Sequence, residues 1–303
     1  MRLAAVAAVL VLTACGGKEH RAISNGKVDV GGRMLAVHCS GSGSPTVVLE
    51  AGLGSSSATW AEIRPRLAKR TRVCAYDRLG DGDSDPVPGR MIQTVDDQAR
   101  TLGGVLAAAG VEAPYVLVGH SWGGAIVQRF ASEHPSDVVG IVLDDSSTGD
   151  ATRRWLAMLP APPKKGFDPF REVRNALNNT NDPNENPEHV DWLASTPALH
   201  RVRSLGSIPL VVLTAGMSDL AAALEPPYKG RAYRIWLDGH SQLAALSSDS
   251  VHAIAQYSSH FIHQDQPDVV VTSIRAVLGA ASDDERLAPC RKLFRGVEGV
   301  RCL

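Results

Sequence analysis

"YVLVGHSWGG", residues 115–124, is the stretch that decides the fold. Four strand-like residues, Tyr115–Val118, run into Gly119-His120-Ser121-Trp122-Gly123, and a helix-like pattern follows from about Trp122 to Glu133. A serine between two glycines at such a junction has two readings. One is a tight turn in which glycine and serine are merely common. The other is a nucleophile elbow, the strained strand-to-helix turn that lifts a serine hydroxyl above the edge of a sheet. A serine hydroxyl is a poor nucleophile until a base takes its proton. The second reading therefore demands a histidine and a carboxylate elsewhere in the chain.

Working outward, the neighbouring segments alternate between strand and helix signals. Upstream, "KVDV-GG-RMLAVHC" reads as two strands joined at Gly31-Gly32, a two-residue hairpin turn. "TVVLE" after Pro45 and "TRVCAYD" at 71–77 are short apolar runs of the buried-strand kind. Between them "ATWAEIRPRLAKR" has helix-like polarity, weakened by Pro65. Val95, Ala99, Leu102, Leu106 and Ala109 form one apolar helical stripe, with Thr94 and Asp97 spaced as a capping box and Gly110 as a stop. Downstream, strand-like runs occur at 138–143, 208–213 and 250–255, and a last helix spans about 267–278. This alternation predicts an α/β fold with a mostly parallel sheet covered by helices on both faces.

More than sixty residues separate the strand ending at Leu143 from the one starting at Ile208. An unstructured loop of that length does not suit a compact domain. The segment reads as a lid inserted over the sheet, with Trp155, Leu156, Met158, Phe167 and Phe170 as candidate walls of a substrate pocket. Its polar part, 175–188, reads as a surface excursion.

Composition narrows the function. The 303 residues carry a formal net charge of -1 and no long run of one sign. Nucleic-acid binding, which needs a basic face, is not expected. The expected partner is a small molecule.

With "GHSWGG" as elbow, "LEAGLGSSSATW" where an oxyanion loop would sit and "YDRLGDGDSD" as a D-x-x-G-x-G-x-S segment, the chain from about 27 to 280 resembles the α/β-hydrolase family. The resemblance implies the α/β-hydrolase fold and a Ser-His-Asp triad in the order nucleophile, acid, histidine, with no metal or organic cofactor. Ser121 is the implied nucleophile. His260, in "SSHFIHQDQP", is the implied base; His252 falls inside a strand, His263 reads as a supporting or surface residue, and His240 lacks the elbow's second glycine. Two acids remain open. Asp219 follows the strand at 208–213, where the family usually keeps its acid, and Asp145 follows the preceding strand, an alternative family position. Asp144 would point the other way if the strand persists. The implied oxyanion donors are the backbone N–H groups of Leu53 and Trp122. Ala51-Gly52 departs from the His-Gly that many members carry, yet a backbone N–H does not depend on that side chain. Activity is expected on a carboxylic ester, with amide, lactone or carbon–carbon hydrolysis, or a non-catalytic binding protein of the same fold, as the alternatives.

The N-terminus adds a location. "MRLAAVAAVLVLTACGG" has an apolar run Leu3–Ala14 that as helix spans about 18 Å, short of a ~30 Å hydrocarbon core. It reads as a signal peptide, and Leu12-Thr13-Ala14-Cys15 resembles the lipobox of bacterial lipoproteins. That implies lipid attachment at Cys15 and an extracytoplasmic, membrane-anchored protein of the bacterial cell envelope. In an oxidising compartment Cys39, Cys74, Cys290 and Cys302 become candidate disulfide partners, Cys290 with Cys302 across a short loop and Cys39 with Cys74 between strands. No C-x-x-C pair suggests zinc, and Asp81, Asp83 and Asp85 fail the calcium-loop pattern, with Pro86 and Ile92 at the glycine and glutamate places. The expected organisation is a signal peptide at 1–14, a lipidated tether at 15–26, a core at 27–147 and 207–280, a lid at 148–206 and a C-terminal tail at 281–303.

Overall fold

The computed structural model describes residues 24–217, 222–283 and 285–303. The signal-peptide segment, Cys15 and Asp219 lie outside them.

The described strands are β1 (Asn25–Asp29), β2 (Met34–Ser40), β3 (Thr46–Glu50), β4 (Val73–Tyr76), β5 (Tyr115–His120), β6 (Val138–Asp144), β7 (Leu210–Ala215), β8 (Ser250–Ala255) and β9 (Val300–Cys302). They form one sheet in the order β1-β2-β4-β3-β5-β6-β7-β8-β9. The run from β4 through β8 is parallel, while β1, β2 and β9 pair antiparallel at the two edges. The first hairpin closes at Gly31-Gly32, both at positive φ, with Val30 N–H donating to Arg33 O at 2.9 Å. Every residue of β3, β4, β5 and β7 is buried, the signature of strands covered on both faces.

Successive side chains on a strand point to opposite faces, and the core divides accordingly. On one face Val48, Leu117 and Ile141 pack with α2 (Val95–Ala108) and α3 (Trp122–Glu133). On the other, Val116, Val118 and Val211 pack with Trp60 and the apolar side of a helix at Pro267–Asp283. The α2 stripe is buried as its spacing requires, the Thr94/Asp97 capping box is formed, and Gly110 follows at φ 63°.

Several expectations change. The stretch 58–70 is no continuous helix but a 3₁₀ turn at Ser57–Trp60 and one helical turn, α1 (Arg64–Leu67). Pro65 has no amide to donate, so it fits only a first turn. The segment between β6 and β7 holds α4 (Ala151–Met158), α5 (Arg171–Asn181) and α6 (Trp192–Arg201). Helix α5 thus runs through half of the polar stretch read as a surface excursion; Leu177 and Asn181 are buried, and Asn186 ties down the backbone of Asp182 and Val190. The chain continues through α7 (Tyr228–Ala244), α8 (Ile262–Asp265), α9 (Pro267–Asp283) and α10 (Cys290–Leu293). The C-terminal tail does not hang free: its last strand, β9, extends the sheet beside β8 and is stapled by the Cys290–Cys302 disulfide. Cys39 and Cys74 face each other in the β2–β4 register and form the second bridge.

Candidate active site

Ser121 stands between β5 and α3 with φ 51° and ψ -119°, a left-handed backbone that a non-glycine residue adopts only under constraint. The flanking glycines explain how the turn is possible. A Cβ on Gly119 would come within 2.6 Å of the Gly124 backbone, and one on Gly123 would run into the carbonyls of Glu50 and Ala51. Backbone hydrogen bonds hold the strained residue: Ser121 N–H donates to Asp144 O at 3.1 Å, and Ser121 O accepts from Gly124 and Ser147 at 3.0 and 2.8 Å. Such strain is stored where surrounding structure over-determines it, and it aims the hydroxyl out of the sheet.

The hydroxyl meets a cavity of about 390 Å³, whose wall includes Gly52, Leu53, Ser121, Asp145, Trp236 and His260. His260 lies in the turn after β8, half-buried, and its Nδ1 is 2.6 Å from Asp145 Oδ2. The other oxygen, Asp145 Oδ1, accepts from Ala215 N–H and from Trp236 Nε1, each at 2.8 Å. Asp145 itself has φ 42°, so the chain turns sharply just after β6 and sends this carboxylate toward the C-terminal end of β7 and β8. Burial works to raise the Asp145 carboxyl, but the hydrogen bond and charge of His260, with His240 and the Ala215 amide, hold it below the ordinary carboxylate value. It is therefore an anion at neutral pH. An ionised acceptor on Nδ1 selects the tautomer in which Nε2 carries the lone pair that can take a proton.

Asp144, the last residue of β6, faces the opposite way, as alternation predicts. Its Oδ2 lies 2.6 Å from Nδ1 of His263, and His263 Nε2 meets Thr59 Oγ1 at 2.8 Å. Burial raises the Asp144 carboxyl, against the opposing pull of His263. His263 is fully buried against Trp60, so of its two readings, supporting or surface, the surface one falls. His120, inside the elbow, donates from Nε2 to His260 O at 2.9 Å. Burial, with His260 and His263 nearby, pushes its imidazole well below the usual value, so it stays neutral. His240 and His252 share Thr214 Oγ1 at 2.7 and 2.8 Å in a buried cluster beneath the site.

For the oxyanion, Leu53 lines the cavity and Trp122 opens α3. The first amides of a helix have no partner within it, so the Trp122 N–H is available to an anion beside Ser121. Of the five aromatic and apolar residues expected as pocket walls, Trp155 lines this cavity. Phe167 is 83 % exposed, Leu156 borders a separate groove, and Met158 and Phe170 pack into a small side core. The sequence reading missed Leu177, Trp192, Trp236 and Phe261, which complete the apolar wall. Trp236 carried no signal of its own, since the elbow-like letters of α7 fall at Gly239-His240-Ser241 and lack the second glycine; Phe261 adjoins the histidine already singled out.

The comparisons with known proteins agree with this architecture. The sequence profile of the alpha/beta hydrolase fold family matches residues 45–191. An uncharacterized Bacillus subtilis (strain 168) protein, YqjL, is 32 % identical over 245 residues, covering 80 % of this chain and 87 % of its own. A putative lipase from Acinetobacter baumannii superposes with a TM-score of 0.60 at 16 % identity, over 86 % of this chain and 92 % of that one. A thermophilic esterase from Thermogutta terrifontis gives 0.57 at 21 % identity, over 86 % and 99 %. At these identities the two solved structures are alike in fold.

Proposed function

The chain belongs to the alpha/beta hydrolase fold family, and we propose that within it this protein is a serine hydrolase of carboxylic esters, with Ser121 as nucleophile, His260 as base and Asp145 as the carboxylate that orients it. The observation that carries this reading is the 2.6 Å contact between His260 Nδ1 and the anionic Asp145, on the wall of the same cavity that Ser121 enters. Asp145 takes the role over Asp219 because it has that contact.

In this mechanism His260 Nε2 takes the proton of Ser121 as Oγ attacks the ester carbonyl. The carbonyl oxygen becomes an oxyanion held by the N–H groups of Leu53 and Trp122, each such donor worth roughly 3 kcal/mol in the transition state. Collapse breaks the ester C–O bond, His260 returns the proton to the departing alkoxide, and the acyl group stays on Ser121. Water, deprotonated by the same His260, attacks the acyl-enzyme; the acyl C–Oγ bond breaks, His260 returns that proton to Ser121 Oγ, and the acid leaves. Asp145 stabilises the imidazolium formed in each half and does not itself take the proton. The apolar wall of Leu53, Leu177, Trp155, Trp192, Trp236 and Phe261 favours an uncharged acyl or alcohol group, since an unpaired charge there would lose its hydration.

The test is hydrolysis of a p-nitrophenyl ester series from acetate to palmitate, beside Ser121→Ala, with labelling by a serine-directed phosphonate. Activity and label that both vanish in the variant support the reading. A folded protein that neither labels nor turns over any ester overturns it.

The same reading extends to location: a lipid anchor at Cys15 holding the enzyme outside the cytoplasm. The two disulfides, Cys39–Cys74 and Cys290–Cys302, support an oxidising compartment. Cys15→Ala, expressed with its leader, is expected to move the protein from the membrane to the soluble fraction. Unchanged membrane retention would remove Cys15 as the anchor.

A further inference from the structure

Behind the oxyanion loop lies a buried ion pair that the mechanism above does not use. Arg78, two residues past β4, is 2 % exposed, and Glu188, in the connection between α5 and α6, is 0 % exposed. They pair through two hydrogen bonds, Nε to Oε2 at 2.6 Å and Nη2 to Oε1 at 2.7 Å. This bidentate geometry is the strong form of such a contact. Burial alone would disfavour the charged guanidinium, yet Glu188 and Glu50 beside it raise its proton affinity well above the ordinary, so it is a fixed cation.

What this cation touches is the backbone of the oxyanion loop. Arg78 Nη1 donates to Ala51 O at 2.7 Å and to Glu50 Oε1 at 2.7 Å, and Nη2 donates to Gly52 O at 2.5 Å. The Gly52 carbonyl and the Leu53 N–H belong to one peptide group. In a planar trans peptide the two point in opposite directions. A guanidinium that grips the carbonyl from the interior therefore turns the N–H outward, on the side where Gly52 adjoins Ser121. Its charge also polarises the peptide and strengthens the N–H as donor. Glu188 pins the next amide, accepting from Gly54 N–H at 2.8 Å. Its Oε2 accepts from Gln98 Nε2 at 2.8 Å, and Gln98 Oε1 in turn accepts from the indole N–H of Trp122 at 2.5 Å. Trp122 supplies the second oxyanion donor. One carboxylate from the inserted segment thus stands behind both.

We propose that Glu188 is a positioning residue for the oxyanion hole: by locking Arg78 onto the Gly52 carbonyl and holding Trp122 through Gln98, it sets both donor N–H groups, so that the hole is complete only when the segment between β6 and β7 is docked. This rests on the ester-hydrolase reading and deepens it. Glu188 touches no substrate. It lets the insertion that covers the cavity govern the step at which charge develops on the substrate oxygen, coupling coverage of the site to its reactivity.

The test measures kcat, KM and the infrared carbonyl band of the acyl-enzyme formed from a slowly deacylating, ¹³C-carbonyl-labelled cinnamoyl ester. That band falls in wavenumber as the oxyanion donors tighten. Glu188→Gln keeps an acceptor for Gly54 and removes the charge that locks Arg78. It is expected to lower kcat about 30-fold, within the range for losing part of an oxyanion donor, with KM within threefold and the band shifted to higher wavenumber. Gln98→Leu cuts the Trp122 arm alone and is expected to give a smaller loss with a shift in the same direction; it also decides the matter should Glu188→Gln not fold. Wild-type kcat and an unshifted band in the folded variants would overturn the positioning role while leaving the esterase intact. A wild-type protein that forms no acyl-enzyme would overturn the ester-hydrolase reading and this role with it.

Discussion

Asp144 and Asp145 are adjacent in sequence and serve different histidines, Asp144 meeting His263 and Asp145 meeting His260, each at 2.6 Å. The strand ends between them, and the positive φ of Asp145 sends the second carboxylate into the cavity while the first stays in the sheet's interior. One pair lines the cavity that Ser121 enters and the other is sealed beneath it, so on the proposed mechanism substitutions at the two positions separate catalysis from stability.

Asp145→Asn is expected to cut kcat by about 10⁴-fold while the protein stays folded, because the amide favours the wrong imidazole tautomer and cannot balance the imidazolium. Asp219→Asn is expected to cost less than tenfold. Steady-state kinetics of the two variants decide which carboxylate the histidine uses; the reverse ranking would assign the role to Asp219.

Asp144→Ala leaves the fully buried His263 without its carboxylate partner, a loss of about 3 kcal/mol of the kind that follows breaking a buried pair. Urea unfolding measures it. The folded fraction is expected to keep activity within tenfold of wild type, in contrast to Asp145→Asn.

Glu50 is raised by burial to about 7, the Arg78 charge opposing but not cancelling that effect. Its folded state thus holds a proton more tightly than the unfolded chain does, and its contribution is greatest below the ordinary value of 4.5. As pH climbs from there through 7, stability drains by about 3 kcal/mol from this group. Glu50→Gln should erase that slope, so the wild-type-minus-variant difference in unfolding free energy falls between pH 4.5 and 7 and is flat above. A difference independent of pH would show that Glu50 binds its proton equally well in the folded and unfolded chain.

Joining Cys290 to Cys302 closes a short loop, with a sequence separation of 12. Replacing both by Ala should cost about 3 kcal/mol on the chain-entropy account. Amide exchange along β8 is expected to rise at the same time, because β9 would leave the edge it covers. Protection of β8 that survives the double substitution would mean that β9 holds by its ladder alone.

Trp155 stacks on Trp236 at 5.3 Å between ring centres and walls the cavity on the α4 side. Trp155→Ala should move the best acyl chain of a p-nitrophenyl ester series to a greater length, with the gain in KM rather than kcat. An unmoved optimum would place the acyl group on the Phe261 side instead.

Much of this architecture was legible locally. The elbow could be read because its requirements are short-range: an apolar run, glycines where a Cβ would collide, then a helical period. The α2 stripe and its capping box follow from spacing alone, and both disulfide pairings agree with the strand and loop positions of the four cysteines. The insertion was harder. Which of its aromatics face the cavity depends on how α4 and α5 pack on α7, and nothing in the spacing of Phe167 or Phe170 reports that.

Sequence alone, then, determined the alternation of strands and helices, the strained serine turn, and the shortlist of one histidine and two acids. The first two are properties of neighbours along the chain, governed by periodicity, sterics and turn chemistry; the shortlist is what the family resemblance implied. Tertiary structure decided what meets what. It brought Asp145 to His260 across 115 positions of sequence and Glu188 to Arg78 across 110. It also turned the last residues of the chain into an edge strand. Contacts of that span are selected by the burial of whole faces and by charges that must find partners once water is excluded, and no local pattern encodes them.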